Sequence, residues 1–198
     1  AHRSGLNVMV GLDVVAGRLG LDYTNPERVA EQKERIRKDI LKYKDHPALL
    51  MWNVGNELEL FYAKDELYYA INDLAEMIHE IDPDHLVTIS LGIKAEWINK
   101  IAELCPAIDV LSINVFSPLP SLPALMNSPE VKWKGPYIVT EWSSKGYWEV
   151  GVVDWDAPIE PSSREKVSQM MQWYQNAISW DQDRCLGSFV FYWGNKQE

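Results

Sequence analysis

Apolar residues in this chain follow two rhythms that alternate. Leu6 to Val14 is almost continuously apolar, as a strand buried on both faces requires. Asn25 and Pro26 then predict a helix start, with asparagine as N-cap and proline at the first helical position. Val29, Ile36, Ile40 and Tyr43 recur at helical spacing with charge between them. The stretch HPALLMWNVGNELEL, His46 to Leu60, returns to a strand from Ala48 to Val54 and stops on Gly55, Asn56 and Glu57. Leu67, Ile71, Leu74, Ile78 and Ile81 follow the helical period until Asp82-Pro83 ends it. Leu86–Leu91 predicts a short strand. Trp97, Ile101 and Leu104 predict a short helix stopped before Pro106, and Val110–Phe116 predicts a strand.

Beyond it, the proline-rich segment Ser117–Gly135 predicts a broken helix, and Tyr137–Thr140 a strand that delivers Glu141. Ser143–Ser163 is a long loop carrying Trp148 and Trp155. Val167, Met170, Met171, Tyr174 and Ile178 mark a helix, and Leu186–Trp193 the last strand. Short buried strands alternating with helices predict βαβ units and a parallel sheet. An open doubly wound sheet and a closed (β/α)8 barrel both meet that description. No glycine-rich phosphate loop follows any strand; GLDVVAGRLG, Gly11 to Gly20, lacks the dinucleotide spacing. Polar or aromatic residues do gather at strand C-terminal ends: Asp13, Asn56, Glu57, Asn114, Glu141 and Trp193. Barrel enzymes collect their active-site residues on that rim, so an α/β barrel is expected.

Charge and composition narrow the partner. A net charge of −10 argues against nucleic acid and anionic membranes, which need clustered Lys and Arg, and leaves a neutral ligand such as a sugar open. Nine tryptophans and nine tyrosines against four phenylalanines favour rings with a polar tip, common where a surface meets a partly polar ligand; large cores also use tryptophan. Cys105 and Cys185 lie far apart and are expected as buried free thiols. No metal-type Cys/His spacing exists, and neither a metal nor an organic cofactor is expected. No apolar run reaches transmembrane length, and no signal peptide is visible. The 198 residues suit one domain. Both ends read as cut, which predicts one partial barrel domain over 1–198 within a longer chain.

If the strands share one barrel, Glu57 and Glu141 stand at the same end and can face each other across its mouth. Two carboxylates flanking a bond are the equipment for glycoside hydrolysis. A gap of roughly 5–5.5 Å gives the retaining double displacement, and about 6.5–9.5 Å leaves room for a water and gives inversion. Asn56 could hold a sugar hydroxyl beside the reacting carbon.

WNVGNE (Trp52–Glu57), IVTEW (Ile138–Trp142) and FVFYWG (Phe189–Gly194), in this order, resemble the clan A glycoside hydrolases. The likeness is nearest to the catalytic barrel of glycoside hydrolase family 2, with family 5 and the β-glucanosyltransferases as relatives, and it covers essentially the whole chain. It implies that Glu57 ends the fourth strand as acid/base, Glu141 ends the seventh as nucleophile, and Trp193 ends the eighth and floors the sugar site. The implied activity is retaining hydrolysis of β-linked carbohydrate. Transglycosylation by the same two glutamates, and a non-catalytic sugar-binding or inactive barrel, are the alternatives. Two departures stand out. Phe116 occupies the place of a tyrosine that many members aim at the nucleophile, with Tyr147 and Tyr192 as possible replacements. The chain also begins just before strand three, so strands one and two and an arginine often carried on strand two lie outside it.

Blander roles compete at each position. Asp13 could bind substrate at the rim or stabilise a turn, and Asn114 is similarly balanced. Trp142, Trp148 and Trp155 could stack on sugars or pack under the long loop. Trp52, Met170 and Met171 are expected in the core, His46 at a helix end, and Glu59 facing solvent.

Overall fold

A computed structural model describes residues 1–192. Six strands form a single parallel sheet: β1 (Val8–Gly11), β2 (Leu49–Asn56), β3 (Leu86–Gly92), β4 (Val110–Asn114), β5 (Tyr137–Trp142) and β6 (Cys185–Val190). Between them run α1 (Pro26–Tyr43), α2 (Asp65–Ile81), α3 (Ala95–Leu104), the short α4 (Leu122–Met126) and α5 (Ser163–Trp173), which continues as a π turn over Tyr174–Ile178. The strand order in space equals the order in sequence. A doubly wound sheet reverses direction at a switch point, and this one does not, so the six strands are a truncated (β/α)8 barrel.

Most local signals act as read; Met171, expected in the core, is instead exposed on α5. Asn25 Oδ1 accepts from the backbone N–H groups of Glu27 and Arg28 at 3.1 and 3.2 Å, ahead of Pro26. Leu67, Ile71, Leu74 and Ile78 all face the sheet and are buried, each contributing roughly 2 kcal/mol of apolar transfer. Ser117–Gly135 breaks as expected, into a 3-10 turn and α4. Trp52 is fully buried, its indole donating to Asp82 Oδ2 at 2.8 Å. Cys105 is buried and Cys185 half-buried, both as free thiols.

Burial grades across the sheet. All five residues of β4 and most of β3 are buried, whereas β1 and β6 are half open, with Val8, Leu186 and Val190 at 37%, 55% and 51% exposure. Among the described residues β1 and β6 do not pair with each other, so the sheet is an arc. Its concave face carries the site. Three strands end earlier than their apolar runs predict: β1 stops at Gly11, β4 at Asn114 before Phe116, and β6 at Val190 before Phe191.

Candidate active site

The turn after β2 has an unusual backbone. Gly55 adopts φ 148°, and a Cβ there would sit 2.4 Å from Leu58 Cδ1, so both conformation and space require glycine. Glu57 follows with φ 49°, left-handed and uncommon for a side-chain-bearing residue. Its backbone is held on both sides: its N–H donates to Ser90 O at 2.8 Å, and Arg18 Nη1 donates to its carbonyl.

Both strands that carry the paired glutamates bulge just before them. Asn53 pairs with Thr88 but Asn56 with Ser90, so β2 spends three residues where β3 spends two. Ile113 pairs with Val139 and Asn114 with Glu141, so β5 spends two where β4 spends one. A bulge re-aims side chains. Here it turns Asn53 and Asn56, and likewise Thr140 and Glu141, into one cavity of about 230 Å³ shared with Met9, Ser90, Asn114 and Phe189.

One hydrogen-bond chain crosses that cavity. Asn53 Nδ2 donates to Ser90 Oγ at 2.8 Å, Ser90 and Thr140 hydroxyls meet at 3.2 Å, and Thr140 donates to Asn114 Oδ1 at 2.9 Å. Each hydroxyl has a single proton, so the Ser90 hydroxyl must be the donor to Thr140. The amide of Asn114 is thereby oriented, and its Nδ2 donates to Asn56 Oδ1 at 2.9 Å and to Glu57 Oε1 at 3.2 Å. The structure thus brings Glu57, Asn56, Asn114 and Glu141 together. Glu141 is half-buried, and its carboxyl is held above the ordinary glutamate range by burial first and by the negative charge of Glu57 second.

Glu59 does not face solvent as expected: it is 1% exposed. Its Oε1 accepts from the Gly92 backbone N–H at 2.9 Å, tying the turn after β2 to the end of β3, while its Oε2 has no protein partner. Burial pushes its carboxyl up to about 7; the Gly92 hydrogen bond pulls down, and the charge of Glu57 adds to the rise.

Two expected rim residues lie elsewhere, and a third is not described. Asp13 is exposed and ion-paired to Arg35 on α1, which makes it a surface clamp rather than a cavity residue. Trp142 turns to the opposite face of β5, where it is 4% exposed beside Tyr174 and Met170. Trp193 lies outside the described residues. Phe116 makes edge-to-face contacts with Trp148 and Phe191, and Tyr147 packs on Trp148. Trp155 is 77% exposed on the long loop. The sequence reading missed Arg18, Asn53, Ser90 and Thr140. The last three look like ordinary polar interruptions of strands, and only the bulges reveal their shared direction. Among the described residues no group of three or more His, Cys, Asp or Glu side chains is assembled as for a metal ion, and no helix is long and apolar enough to cross a membrane.

A parallel arc that gathers two acids and two amides on its C-terminal rim defines the class, a TIM-barrel domain of the glycosidase type. More particularly, residues 5–197 match the model described as glycosyl hydrolases family 2, TIM barrel domain, and the chain belongs to that family. No curated protein sequence matches closely enough to count as a relative. Among solved structures, β-D-glucuronidase from Dictyoglomus thermophilum superposes with TM-score 0.67 at 17% identity, over 99% of this chain and 36% of that one. A family 2 β-galacturonidase from Eisenbergiella tayi, bound to galacturonate, gives 0.61 at 18%, over 84% and 29%. The family 53 catalytic domain from Ignisphaera aggregans gives 0.63 at 18%, over 96% and 63%. At these identities the likeness is one of fold. The chain spans about a third of the first two of these structures.

Proposed function

We propose that this domain hydrolyses β-linked carbohydrate with retention, Glu141 as nucleophile and Glu57 as acid/base. The observation that carries the reading is Asn114, which lines one cavity with Glu141 while its amide donates to Glu57 Oε1 at 3.2 Å. In the first step a Glu141 oxygen bonds the anomeric carbon as the bond to the leaving oxygen breaks, and the Glu57 proton passes to that oxygen. In the second, water attacks the same carbon, gives its proton to Glu57 and releases Glu141. Asn56 and Asn114 present amide groups beside the reacting centre, where a sugar hydroxyl would replace part of their mutual hydrogen bonding. Trp193 is proposed as the floor of the sugar site.

Glu141 must be ionised to attack. Because burial and Glu57 raise it, the acid limb of kcat/KM lies above the ordinary glutamate range, and activity grows as pH climbs through that limb. Trapping with an activated 2-deoxy-2-fluoro-β-glycoside, followed by peptide mass analysis of the whole protein, is the test. A glycosyl adduct on Glu141 is expected. An adduct on another residue, or a product of inverted configuration, defeats the assignment.

A further inference from the structure

The rim holds a second cavity, of about 640 Å³, that the carboxylate pair does not use. Its walls are the segments that leave the strands building the first. Asn114, Glu141 and Phe189 line the lower cavity, and two residues further along each chain Phe116, Ser143 and Phe191 line the upper one. These residues follow directly on the strand ends, where Val115 N–H still donates to Glu141 O at 2.8 Å and Phe191 N–H to Trp142 O at 2.7 Å, so the upper groove adjoins the Glu141 end of the lower cavity.

Trp148 is fixed in this groove yet 56% exposed. Its ring meets Phe116 edge-to-face at 5.0 Å and Tyr147 at 5.1 Å. Behind it, a Cβ on Gly146 would lie 2.5 Å from the indole. Gly146 has an ordinary φ of −69°, so the indole, not the backbone, is the reason glycine is needed. The turn is stapled by Glu149, whose two carboxylate oxygens accept from the backbone N–H groups of Ser117 at 3.1 Å and Gly146 at 2.9 Å. A large ring held still and left half in water is a preorganised platform, and the apolar C–H face of a sugar suits it. Of the charged residues lining the groove, Lys166 is paired with Glu160, and Lys145 stands next to Gly146, whose backbone N–H holds the Glu149 carboxylate; no cluster of one sign faces the groove, which favours an uncharged occupant.

We propose that this groove is a subsite for a second, neutral pyranose, with Trp148 as its platform, so that the substrate is a β-linked oligosaccharide and not a lone glycoside. The proposal rests on the two-glutamate reading for its alignment with the cleaved bond.

The test uses the whole protein carrying Glu141→Gln and a panel of fluorescently tagged neutral β-linked tetrasaccharides of differing linkage, read by fluorescence anisotropy. At least one member should bind, and adding Trp148→Ala should weaken it about tenfold. Gly146→Ala, which keeps the indole but displaces it, should weaken binding in the same direction. In the otherwise unmodified protein, Trp148→Ala should lower the ratio of kcat/KM for that tetrasaccharide to kcat/KM for the 4-nitrophenyl monoglycoside by a similar factor. Failure of every panel member to bind, or equal binding with and without Trp148, overturns the subsite. Persisting turnover by Glu141→Gln overturns the nucleophile assignment alone, because the Trp148 comparison is read by binding.

Discussion

Glu59 offers a quantitative test of how this site is held together. Its carboxyl is 1% exposed, and burial lifts it from an ordinary 4.5 to about 7. The folded protein therefore keeps a proton that the unfolded chain releases between those values. The sign follows: stability is greatest below about pH 4.5 and falls as pH rises towards 7, where the native carboxyl must ionise in its buried setting. At about 1.4 kcal/mol per pH unit the loss is about 3 kcal/mol. Replacing Glu59 by Gln retains an acceptor for the Gly92 N–H and cannot ionise. The amide's own N–H groups would occupy the place of the unpartnered Oε2, at a cost of about 1–3 kcal/mol that does not vary with pH. The offset and the slope are thus separable. Urea unfolding at about pH 5 and about pH 8 reads both. Wild type should lose about 2.5 kcal/mol more than Glu59→Gln between the two conditions, since about 0.8 kcal/mol of the total is already lost by pH 5. Equal pH dependence in the two proteins would refute the idea that the buried proton resides on Glu59.

Glu141→Gln should lower turnover of aryl β-glycosides by on the order of 10⁴-fold or more while ligand binding, followed by calorimetry, persists. Glu57→Gln removes one of the two causes that raise Glu141. Its kcat/KM on an aryl glycoside whose leaving group needs no proton should show an acid limb moved to lower pH. Asn114→Ala releases Glu57 from its only side-chain donor among the described hydrogen bonds, and should cost roughly 10²-fold in kcat with the fold intact by circular dichroism. Ile71→Ala opens a void beneath the sheet at a position 1% exposed, and should destabilise the protein by about 2–5 kcal/mol in chemical unfolding.

The strands and helices were legible because burial on both sides of a parallel sheet writes unbroken apolar runs, and the helices between them write a clean 3.6 period. Glu57, Asn56, Asn114 and Glu141 were legible because each ends such a run. Parity within the last turn of each strand was not. Counting by twos from Thr140 places Trp142 in the cavity and Glu141 outside it; the bulge in β5 reverses both. Asp13 follows an apolar run too, but β1 ends two residues earlier and Arg35 draws the carboxylate to the surface. Glu59 has the composition of a solvated residue, and only the fold-back of the turn onto Gly92 buries it. Arg18 was invisible because its partner is a backbone carbonyl 39 positions away.

The hydrogen-bond chain from Asn53 through Ser90 and Thr140 to Asn114 joins β2, β3, β4 and β5 at one height. Apolar strands slide past one another cheaply, since one valine packs much like the next. A belt of four polar groups does not allow it. Slipping any of these strands by a single residue would press an aliphatic side chain against donors and acceptors and leave several of them unpaired, at about 1–3 kcal/mol each. The groups that line the reaction chamber therefore also act as a ratchet pawl for the sheet, so loss of one of them should loosen strand alignment as well as chemistry.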